Sequence, residues 1–165
     1  MGLMPLEPVV PGVRFVAMPG PRYRHYPRRP MLRLSDSTYL AIVGHSLDGL
    51  PDEACGVFAG PLGTGKVVAT YRCRNDAASA RIYTLNGQDL LRADRDAQAK
   101  GLEIIGVYHS HTHTDPYPSP TDVAQAPDPD WHYVIVSLRE GEPMLRSYRI
   151  VDGRVEEEPV VLERR

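Results

Sequence analysis

Apolar and polar positions change period along this chain, and each change marks an element. Leu32 to Leu34 reads as a short strand, Ser35 or Asp36 offers a helix cap, and Tyr39, Leu40, Val43 and Leu47 recur at helical spacing until Gly49 and Pro51 stop them. Ala54 to Ala59 predicts a short apolar strand, and the glycine- and proline-bearing stretch Pro61 to Lys66 predicts a hairpin connection into a second strand, Val67 to Arg72. A polar loop, Arg74 to Ala80, leads through Ile82 to Leu85 into a helix from about Gly87 to Lys100. Its inward side chains are Leu90, Leu91 and Ala97, its outward ones Arg92, Asp94, Arg95 and Asp96, and Gly101 ends it. Glu103 to His109 is a nearly continuous apolar run, as expected of a strand covered on both faces. After another polar loop and a short helix come three strand candidates, Trp131 to Leu138, Met144 to Val151 and Arg154 to Val161. Strands on both sides of a few helices predict an α/β domain whose mixed sheet is flanked by helices.

The first 30 residues interrupt that picture. Seven of the 16 prolines lie there, so neither a helix nor a central strand can run through them, and residues 1–30 read as an arm ahead of a domain spanning 31–165. The arm holds Arg14, Arg22, Arg24, Arg28 and Arg29 against Glu7 alone, a positive excess in a chain whose formal charge is −2. It suits either a solvated tail or a docking arm for an acidic partner or a neighbouring subunit, as in a homodimer. A chain of 165 residues, 42% hydrophobic, can build one core without staples. Balanced charge leaves no surface excess to bind nucleic acid, and no apolar stretch approaches the roughly 18–20 residues of a membrane span. With no signal-peptide layout at the N-terminus, a cytoplasmic location is expected. Cys55 and Cys73 have no CxxC spacing, so both are expected reduced, with Cys55 packing as a small apolar side chain.

Chemistry concentrates after the long apolar strand, in the run Gly106 to Asp122. His109 and His111 are two apart, so on an extended backbone both rings leave one face and can converge on an ion. His113 competes as a third ligand. On a continuing strand, at about 3.3 Å per residue, it lies about 13 Å from His109, too far to share an ion, but the turn-like sequence from Thr112 weakens that objection. Asp122 is the better third ligand, because Ser119, Pro120 and Thr121 start a helix that presents it in the first turn and leave a metal one open position for water. Taken alone, Ser119-Pro-Thr-Asp122 is also a good capping arrangement that needs no metal.

The spacing His109-x-His111, seven residues, Ser119, two residues, Asp122, together with Glu53-Ala-Cys55-Gly56 upstream, resembles the JAMM/MPN+ metalloprotease family. The likeness covers about Met31 to Val161. It implies a cytidine-deaminase-like JAMM/MPN fold, one catalytic zinc per chain held by His109, His111 and Asp122, and hydrolysis of peptide or isopeptide bonds. One departure is Thr112, where the family usually has a proline. In the implied mechanism Glu53 takes a proton from water and returns it to the leaving amine, with Asp52 as a shorter-reaching turn residue, and Ser119 donates a hydrogen bond to the oxyanion.

Only eight residues separate Asp122 from Trp131, which leaves little room for the insertions that grip ubiquitin in deubiquitinating members. The chain is most similar to the bacterial Mec-type branch, through Pro118-Ser-Pro-Thr-Asp-Val-Ala124 and Tyr133-Val-Ile-Val-Ser-Leu138. That likeness implies a ubiquitin-like sulfur-carrier protein as substrate, cut at its C-terminal tail to release cysteine or a short peptide. The alternatives are a deubiquitinase-like isopeptidase and a non-catalytic binding module of the same fold.

Overall fold

The computed structural model describes residues 29–163. The proposed arm therefore lies outside the described residues except for Arg29 and Pro30. The elements are β1 (Leu32–Ser35), α1 (Asp36–Asp48), β2 (Cys55–Gly60), β3 (Ala69–Cys73), α2 (Gly87–Ala99), β4 (Glu103–His111), α3 (Pro120–Ala124), β5 (His132–Ser137), β6 (Met144–Val151), β7 (Arg154–Glu158) and β8 (Val160–Glu163). Six strands form one mixed sheet in the order β3-β2-β4-β5-β6-β7, and β1 with β8 forms a separate parallel pair. Within the large sheet β4 and β5 are the parallel neighbours; the other pairings are antiparallel. A parallel pair needs a crossover, and the segment carrying α3 supplies it, rising from the carboxyl end of β4. No helix among the described residues is long and apolar enough to cross a membrane.

Two cores sandwich the sheet. On one face Ile42 of α1 packs with Leu32, Leu34, Phe58, Tyr108 and Val134; on the other Ala93 of α2 packs with Cys55, Val57, Val107, Tyr133 and Ile135. Glycine is required where aromatic rings cross the central strands. A Cβ on Gly106 would meet the Phe58 ring at 2.4 Å, and one on Gly56 would meet Tyr108 at 2.5 Å.

The helix spans agree with the periodicity, but the buried faces differ in detail. Leu40 and Leu47 of α1 are 65% and 47% exposed, while Ile42 and Ser46 are fully buried. Ser46 is tolerated there because its hydroxyl donates to the Ile42 carbonyl at 2.9 Å. In α2, Ala97 is buried and Leu90 partly buried as expected, but Leu91 is exposed and Ala93 and Asp89 are buried instead. Arg74 and Arg92 pair with the Asp89 carboxylate, which makes its burial affordable and holds its pKa down to about 2. The strand expected from Val67 starts at Ala69, because the Val67 N–H pairs with the Arg33 carbonyl beside β1. The strand expected over Arg154 to Val161 is two strands. Pro159 has no N–H to continue the ladder, so β7 ends at Glu158 and β8 leaves the sheet to pair with β1. Finally, β4 runs two residues further than expected, through His111, so both motif histidines are on regular strand.

Candidate metal centre and catalytic cleft

β4 presents His109 and His111 on one face at its carboxyl end, both nearly buried. Their Nε2 atoms lie 3.1 Å apart. Asp122 faces both rings with one oxygen each, Oδ1 at 3.5 Å from His109 Nε2 and Oδ2 at 3.6 Å from His111 Nε2. The helix start and the ligand position are one device. Ser119 caps α3 by accepting the Asp122 N–H at 3.2 Å, while Asp122 Oδ2 accepts the Ser119 N–H at 2.7 Å, and this capping box turns the carboxylate toward the histidines.

The group suits a zinc ion. One ligand atom from each of the three residues lies within 4.8 Å of the others, and a tetrahedral zinc with bonds of about 2.0–2.1 Å sets its ligand atoms about 3.4 Å apart. The tautomers fit as well. His111 Nδ1 lies 2.8 Å from the Asp115 carbonyl, which can only accept, so the proton is on Nδ1 and Nε2 keeps its lone pair. Burial pushes the His109 pKa below 6.5, favouring the neutral ring a metal needs. Burial also acts to lower the His111 pKa, but hydrogen bonds accepted by Asp122 and the Asp115 carbonyl, with the negative charges of Glu53 and Asp122, raise it overall. Burial of Asp122 acts upward on its pKa and is outweighed by both histidines, so it is held well below the usual carboxylate range. His113 is exposed and is not among the converging side chains.

Glu53 precedes β2 and is 5% exposed. It also lines an open cleft of about 800 Å³ bordered by Asp52, Ala54 and Asn75, whose lining does not include His109, His111 or Asp122. Burial pushes its carboxyl up to about 7, against the pull of His111 and reinforced by Asp122, so both the acid and the base forms are accessible at neutral pH. Its position is tied to the converging histidines through Ser110, the residue between them. The Ser110 hydroxyl accepts the Ala54 N–H at 2.8 Å and the Ser110 N–H donates to the Ala54 carbonyl at 2.9 Å. Asp52 behaves as the expected turn residue, its N–H donating to the Gly49 carbonyl. Cys55 is buried and unbridged, and burial pushes its thiol up to about 12, which suits an inert packing role.

Sequence reasoning missed the wall of the site. The Tyr83 ring stacks on His109 with centroids 4.3 Å apart, and the Thr112 hydroxyl donates to the Ala80 carbonyl at 3.0 Å, so the loop before α2 lies against the end of β4. No spacing rule marks Tyr83; the one local signal was an apolar Ile82–Leu85 stretch following a polar loop.

Comparison with known proteins bears on this geometry. The model describing prokaryotic homologs of the JAB domain matches residues 35–151. The CysO-cysteine peptidase of Mycobacterium tuberculosis is 46% identical over 121 residues, covering 73% of this chain and 83% of that protein. Among solved structures, the fold is similar to a protein from Desulfitobacterium hafniense, at 30% identity and a TM-score of 0.75 over 82% of this chain and 94% of that one. It also shares its fold with a JAB1/MPN domain protein from Archaeoglobus fulgidus, at 15% identity and a TM-score of 0.53 over 82% of this chain and all of that one (100%). The expected JAMM/MPN-type α/β fold is thus the observed one.

Proposed function

Because this chain belongs to the family of prokaryotic homologs of the JAB domain, we propose that it is a zinc-dependent peptidase that trims the C-terminal tail of a ubiquitin-like sulfur-carrier protein, releasing cysteine or a short peptide. The observation that carries this reading is the gathering of two imidazole Nε2 atoms 3.1 Å apart and a carboxylate whose oxygens lie 3.5 and 3.6 Å from them, with a buried glutamate whose charge acts on His111. His109, His111 and Asp122 hold the ion, one per chain. Zinc bound there supplies Lewis acidity, activating water near neutral pH. Glu53 accepts the proton that water gives up on attack and returns it to the leaving amine, a role a carboxylate held by its backbone can fill. The Ser119 hydroxyl accepts the Asp122 N–H with a lone pair, leaving its own proton to donate toward the oxyanion.

The substrate assignment rests on the name of the mycobacterial relative together with the short Asp122-to-Trp131 connection. A glycine-rich carrier tail is slim and extended, able to pair with a strand edge beside the site. The test is intact-mass spectrometry of carriers ending in Gly-Gly-Cys and in Gly-Gly plus a dipeptide, with ubiquitin chains as competitor. Loss of cysteine or dipeptide with ubiquitin uncut is the expected result; cleaved ubiquitin chains with intact carriers transfer the assignment to a deubiquitinase-like isopeptidase. No cleavage of either, in zinc-loaded protein, leaves a non-catalytic binding module.

A further inference from the structure

The loop between β3 and α2 holds Glu53 by its backbone, and one side chain organises that loop. Asn75 uses every hydrogen-bonding position of its carboxamide. Its Oδ1 accepts the N–H groups of Ala77 at 3.0 Å and Thr84 at 2.9 Å, and its Nδ2 donates to the carbonyls of Glu53 at 2.9 Å and Ile82 at 3.2 Å. The Glu53 N–H in turn donates to the Ser79 carbonyl at 2.8 Å. Both backbone polar groups of Glu53 are therefore taken by this loop rather than by a neighbouring strand. The same loop reaches the metal ligands at its other side, through Ala80 on Thr112 and Tyr83 on His109.

A proton shuttle works only within about 2.6–3.2 Å of the atoms it serves, and a displacement of about 1 Å costs about 100-fold in rate. Ser110 holds the Glu53–Ala54 peptide by its N–H, and Asn75 holds the same planar peptide by its carbonyl, so the two side chains fix the unit from opposite edges. We propose that Asn75 is a positioning residue, whose carboxamide links the Glu53 backbone to the loop that lies on His109 and so sets the distance between the proton shuttle and the metal centre. The inference rests on the peptidase reading above and adds to it the part that holds Glu53 in register.

The test compares Asn75→Asp, Asn75→Ser and Asp76→Ala. Asp at position 75 keeps the acceptor toward Ala77 and Thr84 but turns an oxygen toward the carbonyls of Glu53 and Ile82. Asp76 belongs to the same loop and accepts from Asn86, without touching Glu53. Asn75→Asp is expected to lower kcat about 10- to 100-fold with KM and zinc affinity, by chelator competition, within about twofold. Asn75→Ser, with one donor and no repulsion, falls between it and the parent, and Asp76→Ala keeps kcat. Amide hydrogen exchange should accelerate at Glu53 in Asn75→Asp while Val57 and Val107 in the central strands keep their protection. A folded Asn75 variant with unchanged kcat, or a fall of equal size in Asp76→Ala, overturns the proposal; should Asn75→Asp fail to fold, Asn75→Ser decides. If the unmodified protein cleaves no carrier or ubiquitin chain, the peptidase reading falls, and the exchange rate at Glu53 still decides whether Asn75 holds it.

Discussion

Two buried groups of histidine and carboxylate sit at opposite ends of the same parallel strand pair, and they are built on opposite principles. At the carboxyl end of β4, the His109 and His111 Nε2 atoms face each other and the two oxygens of the Asp122 carboxylate. At the start of β5, His132 is sealed by donors and acceptors that match. Its Nδ1 lies 2.5 Å from Glu158 Oε1, and the Arg149 guanidinium, which can only donate, lies 3.1 Å from its Nε2. Arg149 also bonds Glu158, the Asp130 carbonyl and the Pro30 carbonyl, and Ser147 donates to Glu158. Burial with a histidine and a carboxylate therefore does not mark a site. Converging lone pairs do, whereas a ring whose two nitrogens each meet a complementary partner is structural.

The largest effect that would break this comparison is on metal binding. Asp122→Ala or His109→Ala is expected to abolish stoichiometric zinc binding and hydrolysis together, and His132→Ala to leave zinc content at one per chain by elemental analysis. Loss of zinc in His113→Ala with retention in Asp122→Ala would reassign the third ligand. Chelation should also lower the thermal midpoint of the unmodified protein, since zinc at about 1,000 times its Kd stabilises the fold by about 4 kcal/mol.

Glu53→Gln comes next. It should keep zinc and fold and lose about 100-fold or more in turnover, because an amide cannot shuttle the proton. Near-normal turnover would move that role elsewhere, first to Asp52.

At the other end of the strand pair, His132→Ala should cost about 3 kcal/mol in chemical denaturation, since it leaves Glu158 and Arg149 short of a buried partner. The same group gives a pH dependence with a definite sign. Burial, helped by the Arg149 charge, lowers the His132 pKa below 6.5 despite the Glu158 carboxylate. The unfolded chain thus takes up that proton first, and stability falls as pH drops below 6.5. Burial of Glu158 acts upward and is outweighed by His132, Arg149 and Ser147, so its pKa is lowered and its contribution, present above 4.5, fades as pH falls further. Thermal melts from pH 7 to pH 4 should show the decline, shallower in His132→Ala; an unchanged slope in that variant would locate the proton uptake elsewhere.

Ser119→Ala is the smallest effect. Removing the cap should cost about 0.5–2 kcal/mol of stability and weaken zinc affinity, because the capping box orients Asp122, while stoichiometry stays at one.

Much of this was legible in the chain. The His-x-His pair and the Ser-Pro-Thr-Asp helix start identified all three converging side chains, because strand alternation and helix capping are short-range rules that act within a few residues. The capping and ligand readings of Asp122 competed at the level of sequence, and in the structure the same carboxylate caps α3 and faces both histidines. Element order and both longer helices were equally legible.

Tertiary structure alone decided the rest. Which stripe of α1 is buried depends on how the helix lies against β1 and the sheet, so Ile42 and Ser46 face inward while Leu40 and Leu47 do not. The fate of the last strand depends on β1, which captures β8 once Pro159 has broken the ladder. Asn75, Tyr83 and Ser110 carry no motif, since each acts on a partner remote in sequence: the Glu53 carbonyl, the His109 ring and the Ala54 backbone. The chain determines locally which residues bear lone pairs and protons; only packing between distant segments brings those atoms to distances at which they can act, because geometry and the loss of solvent are properties of the folded whole.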